Sequence, residues 1–110
     1  AVVDPKIVEK YYDMAKTQVI PEMEAHLASY VHLLPKNRII PEAQELVSKN
    51  NYDINDRLLH KIKFVDTDEY SFGDKLEIIK MIQSTDNSPF IQKKAEQTRI
   101  KVIRDSLGDD

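Results

Sequence analysis

The chain has 110 residues, of which 41% are hydrophobic and 32% are charged, and its formal net charge is −3. This length and hydrophobic content are typical of a single folded domain, expected to span residues 1–110, and they exclude a disordered segment. The chain has no cysteine, which excludes a disulfide scaffold and thiolate metal sites. The small negative charge excludes a global electrostatic attraction to DNA or to an acidic membrane.

Glycine and proline are distributed as in a helical protein. Only two glycines occur, and four of the five prolines stand where helices are predicted to start. Proline suits the first helical position because its missing N–H would have no partner there. The sequence therefore predicts an all-α fold, a compact irregular bundle of five or six helices, in which Gly108 ends the last helix.

The first predicted helix begins at Asp4 and Pro5, where Asp4 is a suitable N-cap. Apolar residues at helical spacing continue in phase across Pro21 as far as Leu34, and no Ser, Asp or Asn directly precedes Pro21 to cap a new helix. This phase favours one long first helix, kinked near Pro21 and ended by Pro35, over two separate helices.

Four further helices are predicted after Pro35. They are Pro41–Lys49, a helix capped by Asp53 or Asn55, a helix beginning at Asp74, and a last helix from Ser88–Pro89 to near Leu107. These starts follow from the preference of Ser, Asp and Asn for the N-cap and of proline for the first helical position. Apolar residues recur at helical spacing in each helix, and Phe64 is expected on a buried side.

An acidic segment between two predicted helices is the most specific motif. Four carboxylates occupy positions 1, 3, 9 and 12 of a twelve-residue frame: Asp66, Asp68, Asp74 and Glu77. To this extent the segment resembles a degenerate EF-hand calcium loop. Tyr70 stands where an oxygen ligand is needed, and Ser71 stands where the sharp turn requires glycine. These departures favour an acidic loop in which Asp74 caps the next helix, with a calcium site as the alternative.

No catalytic or cofactor motif is recognisable in the chain. There is no Gly-x-Ser-x-Gly nucleophile elbow, and the glycines that cradle phosphate are absent. Glu22 and His26 are four residues apart on one helix face, but two ligands do not make a metal site. His32 and His60 add no ligand spacing. We therefore expect a non-enzymatic protein without a metal or a cofactor.

The last predicted helix is basic. Between Ser88 and Arg104 it carries five cations against Glu96 alone, a net charge of +4. The cations are Lys93, Lys94, Arg99, Lys101 and Arg104. Such asymmetry indicates a partner with an acidic surface or a nucleic-acid backbone. No aromatic residue lies between the first and last of these cations to stack on bases, which makes nucleic acid the less favoured partner. The alternative without function is a solvated helix face.

Tyrosines supply the remaining candidate anchors for an interface. Tyr11 and Tyr12 are adjacent, so both cannot face the core fully, and one is expected at its rim. Together these features predict an adaptor, regulatory or assembly subunit that binds another protein through a charge-segregated helical surface. No apolar run approaches the ~20 residues of a membrane span, and no basic segment precedes an apolar one as in a signal peptide. The expected location is intracellular, in the cytoplasm.

Overall fold

The computed structural model of the chain describes residues 3–18, 20–67 and 70–108. Across these residues it contains six α-helices, a single-turn 3₁₀ helix and no strand, which confirms the predicted all-α bundle. The α-helices are α1 (Pro5–Lys16), α2 (Pro21–Ala28), α3 (Lys36–Val47), α4 (Tyr52–Phe64), α5 (Phe72–Thr85) and α6 (Pro89–Ser106). The 3₁₀ turn, Val31–Leu33, lies between α2 and α3. None of the helices described is both long and apolar enough to cross a lipid bilayer.

Side-chain caps begin four of the helices. The predicted caps at α1 and α6 are confirmed, because Asp4 accepts a hydrogen bond from the backbone N–H of Lys6 and Ser88 accepts one from Ile91. The predicted starts of α4 and α5 need correction. Asn51 caps α4, with its side-chain oxygen 3.2 Å from the backbone nitrogen of Ile54, and Asp53 and Asn55 lie inside the helix.

Helix α5 likewise begins earlier than predicted. Ser71 is its N-cap, and its hydroxyl accepts a hydrogen bond of 3.2 Å from the backbone N–H of Asp74. Asp74 is therefore the third residue of the helix rather than its cap. The hydroxyl of Ser71 satisfies an N–H group that has no partner within the helix.

Pro21 separates two helices rather than kinking one. Helix α1 ends at Lys16, and Ile20 is extended with φ −127° and ψ 119° immediately before Pro21 starts α2. The ring of a proline disfavours the helical conformation in the residue before it, which explains this break. The structure therefore corrects the expected long first helix to α1 and α2, the other alternative allowed by the sequence.

Pro41 lies inside a helix, although the sequence predicted that a helix starts there. Helix α3 begins at Lys36, five residues earlier, with Pro35 at the N-cap position. Pro41 removes one N–H···O bond from the second turn. Tertiary contacts stabilise that turn, because Ile39 is fully buried and Arg38 forms ion pairs with α1.

The core lies between α3, α4, α5 and α6, and α1 packs at its edge against α2. Its centre is aliphatic, with Leu58, Ile62 and Ile79 all fully buried. Phe64 is 62% exposed, so its predicted place on the buried side is wrong. It is the last residue of α4, where Val65 turns the chain away in an extended conformation. The Cα radius of gyration is 13.6 Å, close to the ~13 Å of a folded chain of this length.

Candidate interaction surface

Helix α1 has an apolar side that the rest of the chain covers only in part. Because one turn takes 3.6 residues, Tyr11 and Tyr12 point about 100° apart: Tyr12 is 4% exposed and Tyr11 is 62% exposed. Between α1 and α2 lies an apolar groove of about 370 Å³, here named the α1/α2 groove. It is lined by Ile7, Val8, Tyr11, Tyr12, Ala15, Met23, His26, Leu27, Tyr30 and Leu33.

An exposed apolar stripe borders this groove along α1. Its members are between 48% and 62% exposed and follow one another at steps of three or four residues: Val3, Ile7, Tyr11 and Met14. Within α1 these steps place Ile7, Tyr11 and Met14 on one helix face, while Val3 lies just before the helix and its N-cap. Tyr30, beside the groove on the α2 side, is also exposed. A contiguous apolar patch of this kind marks an interaction site more often than scattered apolar residues do.

Tyr12 is the buried member of the two tyrosines predicted as possible anchors, and Tyr11 is the exposed one. Tyr12 is the one buried residue of α1. Burial raises the pKa of its hydroxyl, and the neighbouring carboxylates of Glu42 and Glu45 raise it further. The Tyr12 side chain therefore stays neutral and attaches α1 to the bundle, while Tyr11 remains available on the surface.

Arg38 holds the opposite side of α1 against α3. Its guanidinium donates to Glu9 at 2.9 Å, to both carboxylate oxygens of Asp13 at 3.0 Å, and to Glu42 at 2.8 Å. The hydrogen bond from Arg38 lowers the pKa of Asp13. The hydrogen bonds that Arg38 donates to Asp13, Glu42 and Glu9 raise the pKa of Arg38. These bonds use the acidic side of α1 within the molecule and leave its apolar side uncovered.

Lys16 reinforces this attachment at the end of α1. Its ammonium lies 2.8 Å from carboxylate oxygens of both Glu42 and Glu45 on α3. Burial alone would raise the pKa of Glu42, but the hydrogen bonds from Lys16 and Arg38 outweigh burial and lower it. The network therefore depends on ionised carboxylates.

We expect Arg38→Met to destabilise the fold by about 1–2 kcal/mol at pH 7, since it removes a partly exposed bidentate pair and two further ion pairs. The pKa values of Asp13 and Glu42 are lower in the folded chain than in the unfolded chain. Their contribution to folding stability is therefore complete above the pH range in which the unfolded carboxyls titrate. It is lost as the pH falls through the lower pKa values of the folded chain. Urea unfolding at several pH values should show the difference from the unsubstituted chain shrinking below pH 4. Lys10→Met, an exposed α1 cation, is the control, and a difference independent of pH would contradict an electrostatic role.

A polar depression adjoins the α1/α2 groove. It has a volume of about 430 Å³ and shares His26 and Tyr30 with the groove. Its other lining residues are Ser29, Asp56, Arg57, His60 and Lys61. Arg57 donates to the Ser29 hydroxyl at 3.3 Å, and Asp56 forms an ion pair with Lys94 of α6. The apolar groove therefore continues into a polar, mainly cationic surface of α4.

The predicted basic face lies on α6, but most of its charge is paired. Lys94 contacts Asp56, Arg99 lies 2.6 Å from Glu96, and Lys101 lies 2.7 Å from Asp105. The hydrogen bond from Arg99 lowers the pKa of Glu96 to about 2, and that from Lys101 lowers the pKa of Asp105. Lys93 and Arg104 are also exposed. Neighbouring carboxylates thus offset much of the positive charge that the sequence concentrates on this helix.

Two exposed aromatic residues lie beside the start of this basic face. Tyr52 of α4 and Phe90 of α6 have ring centroids 5.9 Å apart, and Phe90 shares a shallow depression with Lys93, Lys94 and Gln97. Sequence reasoning missed this pair because its members are far apart along the chain. The signal was present at Phe90 alone, which is out of phase with the buried residues of its own helix.

The described carboxylates of the EF-hand-like segment lie in two different places. Asp74 and Glu77 belong to the first turns of α5. Asp66 lines a different depression with Lys75 and Lys101. Asp68 lies outside the described residues. In the part of the chain that the structure describes, no group of three or more His, Asp or Glu side chains is placed to hold a metal ion.

His32 is buried beside Tyr70, whose ring centroid lies 5.5 Å away in a stacked arrangement. Within the described residues, neither the Nδ1 of His32 nor the hydroxyl of Tyr70 has a hydrogen-bond partner. Burial lowers the pKa of His32 to about 4, and the charges of Lys61 and Lys75 act in the same direction. The imidazole is therefore neutral at physiological pH and serves as a packing residue.

This burial predicts a pH effect on stability. The unfolded imidazole takes up a proton near its ordinary pKa of 6.5, whereas the folded one does so only near 4, so acidification between these values favours unfolding. Between pH 8 and pH 5 the unsubstituted chain should lose about 2 kcal/mol more folding free energy than the His32→Phe variant, which has no imidazole to protonate. Chemical denaturation at both pH values measures this, with Tyr70→Phe as the control. An equal loss in His32→Phe would show that His32 titrates normally.

Comparison of the chain with models of protein families, with curated proteins and with solved structures found no match.

Proposed function

We propose that this chain is a non-enzymatic protein–protein interaction domain whose α1/α2 groove receives an apolar segment of a partner. The observation that carries the proposal is an apolar groove of about 370 Å³ with the exposed side chains of Ile7, Tyr11 and Tyr30 at its border. Folding alone does not account for these exposed side chains, because burying a large apolar residue stabilises a protein by about 1.5–3 kcal/mol. Binding of a partner would provide that burial.

Tyr11 is the main anchor in this proposal. Tyrosine is frequent among the residues that dominate binding energy, since it combines a large apolar ring with a polar hydroxyl and few rotatable bonds. Its neighbour Tyr12 fixes α1 to the core, and Arg38 holds the far side of the helix. The anchor is therefore presented on a helix whose position is already determined, which reduces the entropy lost on binding.

Affinity capture from native extract tests the proposal. The immobilised chain would be compared with Tyr11→Ala and with Tyr52→Ala, which alters a tyrosine of similar exposure outside the groove. We expect a protein that survives a moderate-salt wash, is lost with Tyr11→Ala and is retained with Tyr52→Ala. Equal recovery by Tyr11→Ala and the unsubstituted chain would contradict binding in the groove.

The basic end of α6 supports a second function, the binding of single-stranded nucleic acid. Lys93 and Lys94 lie next to the exposed Phe90–Tyr52 ring pair, and cations with aromatic rings form the usual platform for unpaired bases. This alternative predicts steeply salt-dependent binding of an oligonucleotide such as dT20. Binding that is unchanged by the combined Lys93→Glu and Lys94→Glu substitutions would exclude it.

A further inference from the structure

We propose that the occupant of the α1/α2 groove is an amphipathic helix of a partner protein, with acidic residues on both sides of its apolar stripe. The inference rests on the proposed function and adds the chemistry of the partner. The helical part of the exposed stripe, from Ile7 to Met14, rises about 10 Å along α1, or about two helical turns. A partner helix meets such a stripe with apolar residues at steps of three and four.

The first rim of the groove is cationic. Lys10 is three residues from Ile7 and four from Met14, so on the helix surface it borders the apolar stripe, and Lys6 lies one turn before Lys10. Both lysines are exposed, and neither has an ion pair among the described residues. The α1 carboxylates nearest these lysines, Glu9 and Asp13, are three residues from Lys6 and Lys10, and both are bound by Arg38.

The second rim is cationic as well. Its cations, Arg57 and Lys61 of α4, line the depression that continues the groove beyond His26 and Tyr30. The charge of Lys61 contributes to the lowered pKa of the nearby His32. The single carboxylate that lines this depression, Asp56, is paired with Lys94.

Two other carboxylates lie near the ends of the groove. Asp4 accepts a hydrogen bond from the backbone N–H of Lys6 as the N-cap of α1, and Glu22 lies in the first turn of α2. Both are near positive helix N-termini, which offset their charge. Cations therefore lie both on α1 beside the groove and in the depression that adjoins it, and acidic flanks on a partner complement both sets.

The same charges disfavour a second copy of this chain as the occupant. A two-fold contact places the same patch on both partners. Here it would bring the Lys6 and Lys10 rim of one copy towards that of the other. Like charges placed together at an interface weaken association. A partner with acidic flanks has no such repulsion.

A displayed peptide library tests the proposal. Each peptide carries leucines at positions 1, 4, 8 and 11 of a helix, with the flanking positions randomised among Glu, Lys, Gln and Ser. Selection on the unsubstituted chain should enrich Glu on both flanks, and binding of the selected peptides should require Tyr11. Equal recovery of Lys-flanked or uncharged peptides, or no Tyr11-dependent peptide, would overturn the inference.

A charge exchange makes the test specific. In the double variant Lys6→Glu, Lys10→Glu, the affinity for the Glu-flanked peptides should fall about tenfold, and peptides with Lys on the α1-facing flank should be preferred. The matched control is Lys80→Glu, Lys93→Glu, two exposed lysines outside the groove, and it should leave the affinity unchanged. An unchanged affinity in the Lys6, Lys10 variant would overturn the inference.

Failure of this inference can be distinguished from failure of the proposed function. If extract capture depends on Tyr11 but selection shows no acidic preference, the groove binds a partner of other chemistry and only the inference falls. Sedimentation that shows Tyr11-dependent dimers would identify a second copy as occupant and overturn it. So would Tyr11-dependent binding to vesicles of phosphatidylserine and phosphatidylcholine. If capture does not depend on Tyr11, the proposed function itself falls.

Discussion

The combined substitution Ile7→Ala, Tyr11→Ala is expected to weaken binding of the groove's partner about a hundredfold, or roughly 3 kcal/mol. Both side chains are more than half exposed, so the groove loses its anchors while the core keeps its contacts. We therefore expect the free energy of unfolding to change by less than about 0.5 kcal/mol. Titration calorimetry with the captured partner measures the first quantity, and urea unfolding measures the second.

The control for this prediction is Tyr52→Ala, Phe90→Ala, which removes an exposed aromatic pair outside the groove. It should leave the affinity within about twofold, because surfaces outside an interface contribute little to binding. If the control weakens binding as much as the groove variant, the partner contacts α6 instead. A large loss of stability in the groove variant would mean that Tyr11 belongs to the core.

Asp86→Ala is expected to cost about 3 kcal/mol of folding free energy, since it removes one partner of a buried polar pair. One carboxylate oxygen of Asp86 accepts from the buried amide of Asn55 at 3.0 Å, and the other accepts from the backbone N–H of Ser88 at 2.9 Å. Burial would raise the pKa of Asp86, but these hydrogen bonds outweigh burial and lower it. Without the carboxylate, the Asn55 amide, which is 0% exposed, loses the partner of its Nδ2.

Thermal unfolding should show this cost as a decrease in Tm of about 10–20 °C. The control is Asn87→Ala, the exposed neighbouring residue of the same turn, with an expected change within about 0.5 kcal/mol. Asp86→Asn should lie between the two, because an amide keeps an oxygen acceptor but loses the charge. A cost below 1 kcal/mol for Asp86→Ala would show that water satisfies Asn55 equally well.

Much of the local structure could be predicted because short-range chemistry decides it. Asp4 before Pro5 and Ser88 before Pro89 begin α1 and α6, since a side-chain acceptor and a proline both suit the first turn whatever lies around it. Gly108 follows α6 with a φ of +66°, a conformation that glycine adopts without strain. These signals depend on residues within one helical turn.

The roles of Pro21 and Pro41 could not be predicted in the same way. Both stand within apolar residues at helical spacing, yet Pro21 starts α2 and Pro41 lies inside α3. The difference depends on distant contacts, because the turn before Pro41 is attached to the bundle by the burial of Ile39 and by the ion pairs of Arg38. No window of the sequence contains the partners of those contacts.

The features of the candidate site can be separated in the same way, into those that local sequence decides and those that distant contacts decide. The sequence alone determined that the chain is all-α, that the last helix is basic, and that of two adjacent tyrosines only one could be fully buried, since composition and helical spacing decide each of these. Only the tertiary structure decided that Tyr12 is the buried one, that Asp56 pairs with Lys94, and that α1 and α2 enclose an apolar groove. Those outcomes depend on which surfaces meet when separate helices pack, and the spacing of residues along one helix does not contain that information.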